Sequence, residues 1–332
     1  MKTTKRLLLS LLVMVVAGGM VCAAGSRQAE AKIIVTFAGT EAVSTGQSRM
    51  MQEAADKLNA TGRFDALVQV NGALANNTDD LVTQAKTGVP LVVPSDPGRL
   101  ASQFNIPDLN ILLAPYVLTD PAVLDKLPDT AIFKEWQNQL EQQGITFIAD
   151  MYNGFRSFYT TTPVSTVADL RGLRIRGFAN NIGNALAKYL GFANIGISWG
   201  EVSSAIQQNA LDGCEVQAAA VGSAIYEIAK YLALTKHYMH QTSFVCSKAL
   251  LNKMPEADRK VFLDTIRETA RKYGQIIANE EAGYYQQMKD QGVTITEVNL
   301  AEFQAAIAPL YANNDLNFSD GLQERLFREL GL

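Results

Sequence analysis

The sequence predicts a two-lobed α/β protein, and three observations carry that prediction. Short β-rich runs alternate with segments of helical spacing from residue 33 to 149, the alternation restarts near Asn153-Gly154, and a helix too long for one small domain follows Pro255. Parallel neighbours in a sheet need crossover helices, so the alternation implies largely parallel strands. The 332 residues are 48% apolar and 19% charged, which suits two domain cores and excludes a disordered tail or a disulfide scaffold.

The chain opens with Lys2, Lys5 and Arg6, continues as an apolar run over 7–16 broken only by Ser10, and then turns to small residues. This pattern predicts a secretory signal peptide over 1–31, its apolar run too short for a hydrocarbon layer of ~30 Å. Cleavage is expected between 23 and 31, after Val21-Cys22-Ala23, Cys22-Ala23-Ala24 or Ala29-Glu30-Ala31. Cys22 also offers a lipid-anchor reading, although Val21 stands where a small residue is expected. Cleavage at Ala31 removes Lys2, Lys5, Arg6, Arg27 and Glu30, taking 29 basic and 33 acidic residues to 25 and 32 and the charge from −4 to −7. That balance argues against a nucleic-acid partner, whose phosphates need clustered Lys and Arg. Only Cys214 and Cys246 would remain, both in apolar segments, and they read as buried free thiols, with a Cys214–Cys246 disulfide as the alternative.

In the first lobe, 33–37 reads as a buried strand and 47–58 as a helix with Met50, Met51, Ala54 and Leu58 on one face. A strand over 66–70 ends at Asn71-Gly72, a helix covers 81–86 and a third strand 90–93. A buried segment over 111–117 contains Pro115, and a helix over 133–143 leads through Gly144 into a strand at 145–149. After the restart, 155–160 is β-rich, 172–176 a short strand, 184–190 a helix, 195–198 a strand and 202–209 a helix. Strands at 213–216 and 243–245 flank a helix around 224–232. In the long helix, Phe262, Ile266, Ala270, Tyr273, Ile277, Tyr284 and Met288 form one apolar stripe. Pro255, Glu256 and Asp258 suit its first turn, and a helix of about 50 Å can run across both lobes.

Catalytic signatures are thin. Gly196-Ile197-Ser198-Trp199-Gly200 matches G-x-S-x-G, and Asp212 and His237 follow in α/β-hydrolase order, so a secreted hydrolase using Ser198 is the alternative function. Trp199 would crowd that nucleophile, and no His-Gly-Gly segment precedes it. His237-x-x-His240 lacks an acidic or thiol partner in zinc spacing and reads as surface or capping histidines. Asp315-x-Asn317-x-Ser319 begins like a calcium loop, but Asp320 stands where Gly is needed and Leu326 where the bidentate Glu belongs. No metal, cofactor or catalytic set is expected. Arg174 and Arg176 alternate with Leu173 and Ile175, so both read as solvated strand residues or as forks able to hold a carboxylate.

Several motifs then fall in a fixed order: Asn153-Gly154-Phe155-Arg156, Val167 to Arg176, Trp199-Gly200-Glu201-Val202, and Leu211-Asp212-Gly213-Cys214-Glu215. With Leu113-Ala114-Pro115-Tyr116 upstream and Lys253 to Asp258 downstream, the chain resembles the DctP-type substrate-binding proteins of TRAP transporters over its whole exported length. The resemblance implies a periplasmic binding-protein-like fold with hinge segments and a long lobe-spanning helix, lobe I being 32–153 plus 242–281 and lobe II 154–241 plus 282–332. It implies a periplasmic monomer that captures a small carboxylate and delivers it to ion-gradient-driven permease subunits in the membrane. A non-transport sensor or lipid-binding relative would share the fold. By motif, Arg176 becomes the principal carboxylate clamp, Arg156 a second donor, Trp199 the packing aromatic, and Glu215 an acceptor for ligand hydroxyls or the residue that orients an arginine. Thr40, Glu41, Asn77 and Asp96 are placed in the cleft from lobe I. Cys214 stands where the family usually has Gln and Val216 where Asn often follows, which with the bulk of Trp199 points to a small sugar acid or simple carboxylate.

Overall fold

The computed structural model describes residues 31–219 and 225–332. The expected signal peptide up to residue 30, Cys22 within it, and Ala224 lie outside the described residues. From the N-terminus run β1 (Ile33–Ala38), α1 (Gly46–Ala60), β2 (Phe64–Gln69), α2 (Thr78–Lys86), β3 (Leu91–Ser95) and α3 (Pro97–Phe104). A 3-10 segment over Pro107–Leu113 leads to α4 (Val123–Lys126), α5 (Ala131–Gln142) and the long β4 (Ile145–Thr160). Then come β5 (Arg174–Arg176), α6 (Asn181–Leu190), β6 (Ala193–Asn194), α7 (Val202–Gln207), β7 (Gly213–Gln217) and α8 (Ile225–Ile228). The chain closes with β8 (Tyr231–Ser247), α9 (Lys248–Lys253), α10 (Glu256–Asp290), β9 (Thr294–Thr296), α11 (Leu300–Ala312) and α12 (Leu322–Leu330).

The helices begin where short polar side chains satisfy free amides. Thr45, Asn77, Asp96 and Asn180 accept from backbone N–H groups in the first turns of α1, α2, α3 and α6, and Pro97 sits at the start of α3. The apolar face expected on α1 is buried, with Met50, Met51, Ala54 and Leu58 fully enclosed.

All nine strands belong to one sheet among the described residues, ordered β2-β1-β3-β8-β4-β7-β5-β6 with β9 beside β8. This corrects two expectations. The restart at Asn153-Gly154 does not begin a separate sheet, and the centre is not parallel: β4 runs antiparallel to β7 and β8, and β8 to β3, while the outer pairs are parallel. The fragments read as 145–149 and 155–160 are one 16-residue strand, and the strand read as 243–245 is the end of a 17-residue one. Irregularities hid their continuity: register shifts interrupt the ladder between Tyr152 and Phe155 and between Arg156 and Phe158, and Gly154 and Lys236 have φ of 98° and 44°. Only Ile225–Ile228 is helical in the stretch read as a helix to 232, because Tyr231 already opens β8. The strand expected at 195–198 pairs only over Ala193–Asn194, since Ser198 caps a 3-10 turn.

Helix α10 has 35 residues and is preceded by Pro255. Near its start Arg63 binds Asp258 at 2.8 Å and Phe64 stacks on Phe262 at 6.1 Å; midway Arg267 Nε donates to Ile148 O at 3.1 Å; near its end Tyr159 meets Met288. It therefore follows β4 from the first half of the sheet into the second. Phe262, Ile266, Ala270, Ile277 and Met288 are buried as expected, whereas Tyr273 and Tyr284 are half-buried. The last helix departs from the expected partition. Arg325 pairs with Glu135 at 2.6 Å and Glu329 accepts from Ile132 N at 3.0 Å, so α12, expected in lobe II, packs on α5 of lobe I.

Cys214 and Cys246 are buried free thiols. His237 and His240, expected as surface or capping residues, are neither: they are 0% and 7% exposed within β8, where both faces of the strand are covered. Among the described residues no helix is long and apolar enough to cross a membrane.

Candidate functional site

The ends of β1, β3, β5 and β7 converge on the irregular middle of β4 and β8, and there they enclose a cavity of about 140 Å³. At ~30 Å³ per water that is room for about five water molecules. Its walls come from the β1–α1 loop (Thr40, Glu41, Thr45), the end of β3 (Ser95, Asp96), β4 (Asn153, Arg156), the end of β5 with the segments beyond it (Arg176, Phe178, Trp199), and β8 (His240, Thr242). Strand ends are natural ligand sites because loops there are free to carry polar side chains over a rigid sheet.

Arg156 is 3% exposed and held on all sides. Its Nη2 donates to Glu215 Oε1 at 2.9 Å, its Nε to Glu215 Oε2, and its Nη1 to Gln217 Oε1 at 3.2 Å, while Cζ lies 4.2 Å above the Phe178 ring. Burial alone would raise the Glu215 carboxyl, but Arg156 overrides it and holds it at about 2. Glu215 thus sits behind Arg156 and orients it. That contact is the geometry of the arginine-orienting role, one of the two the resemblance implied.

Arg176 has a different environment. It is 9% exposed, donates from Nε to Ile197 O at 3.3 Å and lies 5.4 Å from the Trp199 ring, with no carboxylate partner among the described residues. Burial first, and then the neighbouring charge of Arg156, pulls its pKa down to about 10. An arriving anion relieves both penalties. Its near neighbour Arg174 is the solvated residue of the two, bound to Asp212 through Nε at 2.9 Å and Nη2 at 2.7 Å.

The Asp212-Gly213-Cys214-Glu215 run acquires a physical reading. Asp212 fixes Arg174, Glu215 fixes Arg156, and at Gly213 an added Cβ would lie 2.1 Å from Tyr159 O, so only glycine lets β7 approach β4. Burial raises the Cys214 thiol to about 12 and makes it unreactive.

Thr40, Glu41, Asp96, Arg156, Arg176 and Trp199 line the cavity as expected. Asn77 does not: it caps α2 and borders the outer groove, which shares Thr40, Arg176 and Trp199 with the cavity. Asp96 caps α3 and binds Arg99 Nε at 2.9 Å, and burial raises its carboxyl against that pairing. Burial also raises Glu41. Sequence reasoning missed Ser95, Phe178, His240 and Thr242; for His240 and Thr242 the available signal was the run of polar residues inside β8.

The hydrolase reading does not survive the geometry. Ser198 Oγ donates to Glu201 at 2.6 Å in a cap, Asp212 is taken by Arg174, and His237 Nδ1 lies 2.8 Å from Thr235 Oγ1 while its Nε2 is 3.6 Å from Glu215. Asp315 is bound by Lys188 and Tyr189, and among the described residues no group of three acidic, His or Cys side chains is placed to hold a metal.

Residues 37–315 match the family described as "Bacterial extracellular solute-binding protein, family 7", DctP. A solute-binding protein of Verminephrobacter eiseniae is 27% identical over 268 residues, covering 80% of this chain and 79% of that protein. A TRAP periplasmic solute-binding protein of Actinobacillus succinogenes with bound L-galactonate superimposes with a TM-score of 0.83 at 26% identity, over 90% of this chain and 99% of that one. One from Ochrobacterium anthropi with bound L-fuconate gives 0.84 at 26% identity, over 90% and 100%. The two-lobed α/β frame, the cleft at its strand ends and the extent of the match agree, and the chain belongs to the family 7 extracellular solute-binding proteins, the ligand-capturing components of TRAP transporters.

Proposed function

We propose that the chain captures a small carboxylate, a sugar acid or simple organic acid, in the cleft between its lobes and delivers it to TRAP permease subunits in the membrane. The observation that carries this reading is Arg176: a buried guanidinium in a cavity wall with no carboxylate among the described residues to neutralise it. A fork of donors in a shielded site selects a carboxylate, whose two oxygens match it. Support for a sugar acid comes from the two relatives at 26% identity that hold L-galactonate and L-fuconate. The five charged side chains of the lining, Glu41, Asp96, Arg99, Arg156 and Arg176, do not suit an acyl chain, which disfavours a lipid-binding role.

In this reading Arg156, held by Glu215, offers its remaining Nη1 hydrogen as a second donor, Trp199 packs on the ligand, and Thr40, Glu41 and Asp96 meet it from lobe I. Asn77 acts at the mouth. The lobes are assigned as 32–153 plus 242–281 and 154–241 plus 282–312, with α12 added to the first because it packs on α5. The leader over 1–31 directs export to the periplasm, and the protein works there as a monomer without a cofactor.

A thermal-shift screen of the exported form against organic and sugar acids tests the proposal. At a hundredfold excess over Kd, binding adds about 2.7 kcal/mol to stability. Arg176→Ala should abolish the ligand-induced shift while the unliganded protein keeps its fold, since truncating a buried charged donor costs about 2–5 kcal/mol of binding. An undiminished shift in that variant removes the reading.

A further inference from the structure

The charge balance of the cleft and its unpartnered polar atoms narrow the ligand beyond "carboxylate", on the reading that Arg176 is the clamp. Three guanidinium groups line the cavity: Arg99, Arg156 and Arg176. Arg156 is taken up by Glu215, and Arg99 is shared by Asp96 at 2.9 Å and Asp79 at 3.2 Å. With Glu41 in the lining, four carboxyls face three guanidinium groups, and only Arg176 is without a carboxylate partner among the described residues. A second negative charge on the ligand would enter without a free cation to receive it, in a setting where desolvation is costly. His240 supplies no charge there, because burial, with Arg156 nearby, pushes its pKa well below the ordinary histidine value.

The second observation is independent of charge. Ser95 Oγ and His240 Nδ1 belong to residues 7% exposed, lie in the lining on the neighbouring strands β3 and β8, and have no hydrogen-bond partner among the described residues. Buried polar atoms in native proteins are seldom left unpaired, and those in a cavity wall are open to a bound group or to water. A hydroxyl, a neutral imidazole and the Glu41 carboxyl together both donate and accept. That set matches alcohol groups, which do the same, and opposes a second carboxylate.

We propose that Ser95, His240 and Glu41 form a subsite for the hydroxyl-bearing end of the ligand, so that the cleft selects hydroxylated monocarboxylates over dicarboxylates and phosphate monoesters. Calorimetric titration of the exported form with matched probes tests this: L-galactonate and L-fuconate, galactarate as the hydroxylated diacid, hexanoate without hydroxyls, succinate, and glycerol 3-phosphate. A hydroxylated monoacid should bind at least tenfold tighter than each of the others. Ser95→Ala and His240→Phe should each weaken it about tenfold, and Glu41→Gln should raise the galactarate-to-galactonate affinity ratio about tenfold. His240→Gln, with the unliganded melting midpoint as a fold control, covers a failure of the phenylalanine variant to fold. A diacid or phosphate ester as the tightest probe overturns the proposal, as do folded subsite variants that keep the hydroxy acid's Kd within twofold. If Arg176→Ala loses binding in those cases, the carboxylate reading stands and only the subsite falls; if no acid binds, or Arg176→Ala binds like the parent, both fall.

Discussion

Arg174 and Arg176 stand two residues apart on one short strand and have opposite fates. Alternation along β5 cannot separate them, because what differs is the partner brought from elsewhere: Asp212 reaches Arg174, and no carboxylate among the described residues reaches Arg176. A second isolated charge lies in the same sheet, away from the cleft lining. Asp150 on β4 accepts from Ser243 Oγ at 2.6 Å through one oxygen, while the other has no partner among the described residues, and burial, partly offset by that hydrogen bond, raises its pKa to about 7. An unfolded Asp releases its proton near pH 3.9. Between about pH 4 and 7 the folded state therefore holds a proton the unfolded state has lost, so this group's contribution is fully present below pH 4 and is lost as pH rises through 7. Asp150→Asn removes that loss. Denaturation midpoints of parent and variant should diverge from pH 4 to 7 in the variant's favour and run parallel above; a gap that does not change with pH counts against it. Residues such as Ser95 and His240 were not legible in the sequence for the same reason as Asp150, since burial without a partner is a property of three-dimensional neighbours.

At the scale of elements, the motifs with one-dimensional spacing were readable and the long strands were not. Caps and apolar faces placed α1 and α10 well, because helix signals are local. The polar run Thr235 to Ser243 broke the strand pattern of β8, and strand β4 was cut at Asn153-Gly154, which reads as a turn in sequence and serves here as a bulge within a continuous ladder. That same irregularity turns Arg156 toward the cleft, so the site and the misread boundary share a cause. The close approach of β7 to β4 gives a sharper test. With Tyr159 O only 2.1 Å from where its Cβ would stand, Gly213→Ala must displace β7 and with it Glu215. The expected cost is about 1–3 kcal/mol from overpacking, together with weaker ligand binding. Urea midpoints and Kd values equal to those of the parent would show that β7 adapts freely.

For the whole molecule, the cleft draws residues from many elements, whereas β4, β8 and α10 pass through both halves. A ligand that contacts both walls must stabilise the arrangement in which the walls are together. Hydrogen exchange should therefore slow on ligand addition at 40–47 and at 196–201 alike, with little change in the paired centres of β4 and β8. Protection confined to one wall would mean that the ligand does not bridge the lobes.

The β4–β8 ladder has one more consequence, and it is kinetic. Ile145 pairs with Ser247 and Thr160 with Tyr231, so every rung joins residues roughly 70 to 100 positions apart in the chain. Such contacts bring a high contact order, and loop-closure entropy must be overcome before any rung is rewarded. Synthesis has to reach β8 before the two halves of the sheet, β2-β1-β3 and β4-β7-β5-β6, can be joined. The complete sheet of this extracytoplasmic solute-binding protein therefore closes only late in synthesis, whatever its outer strands do earlier.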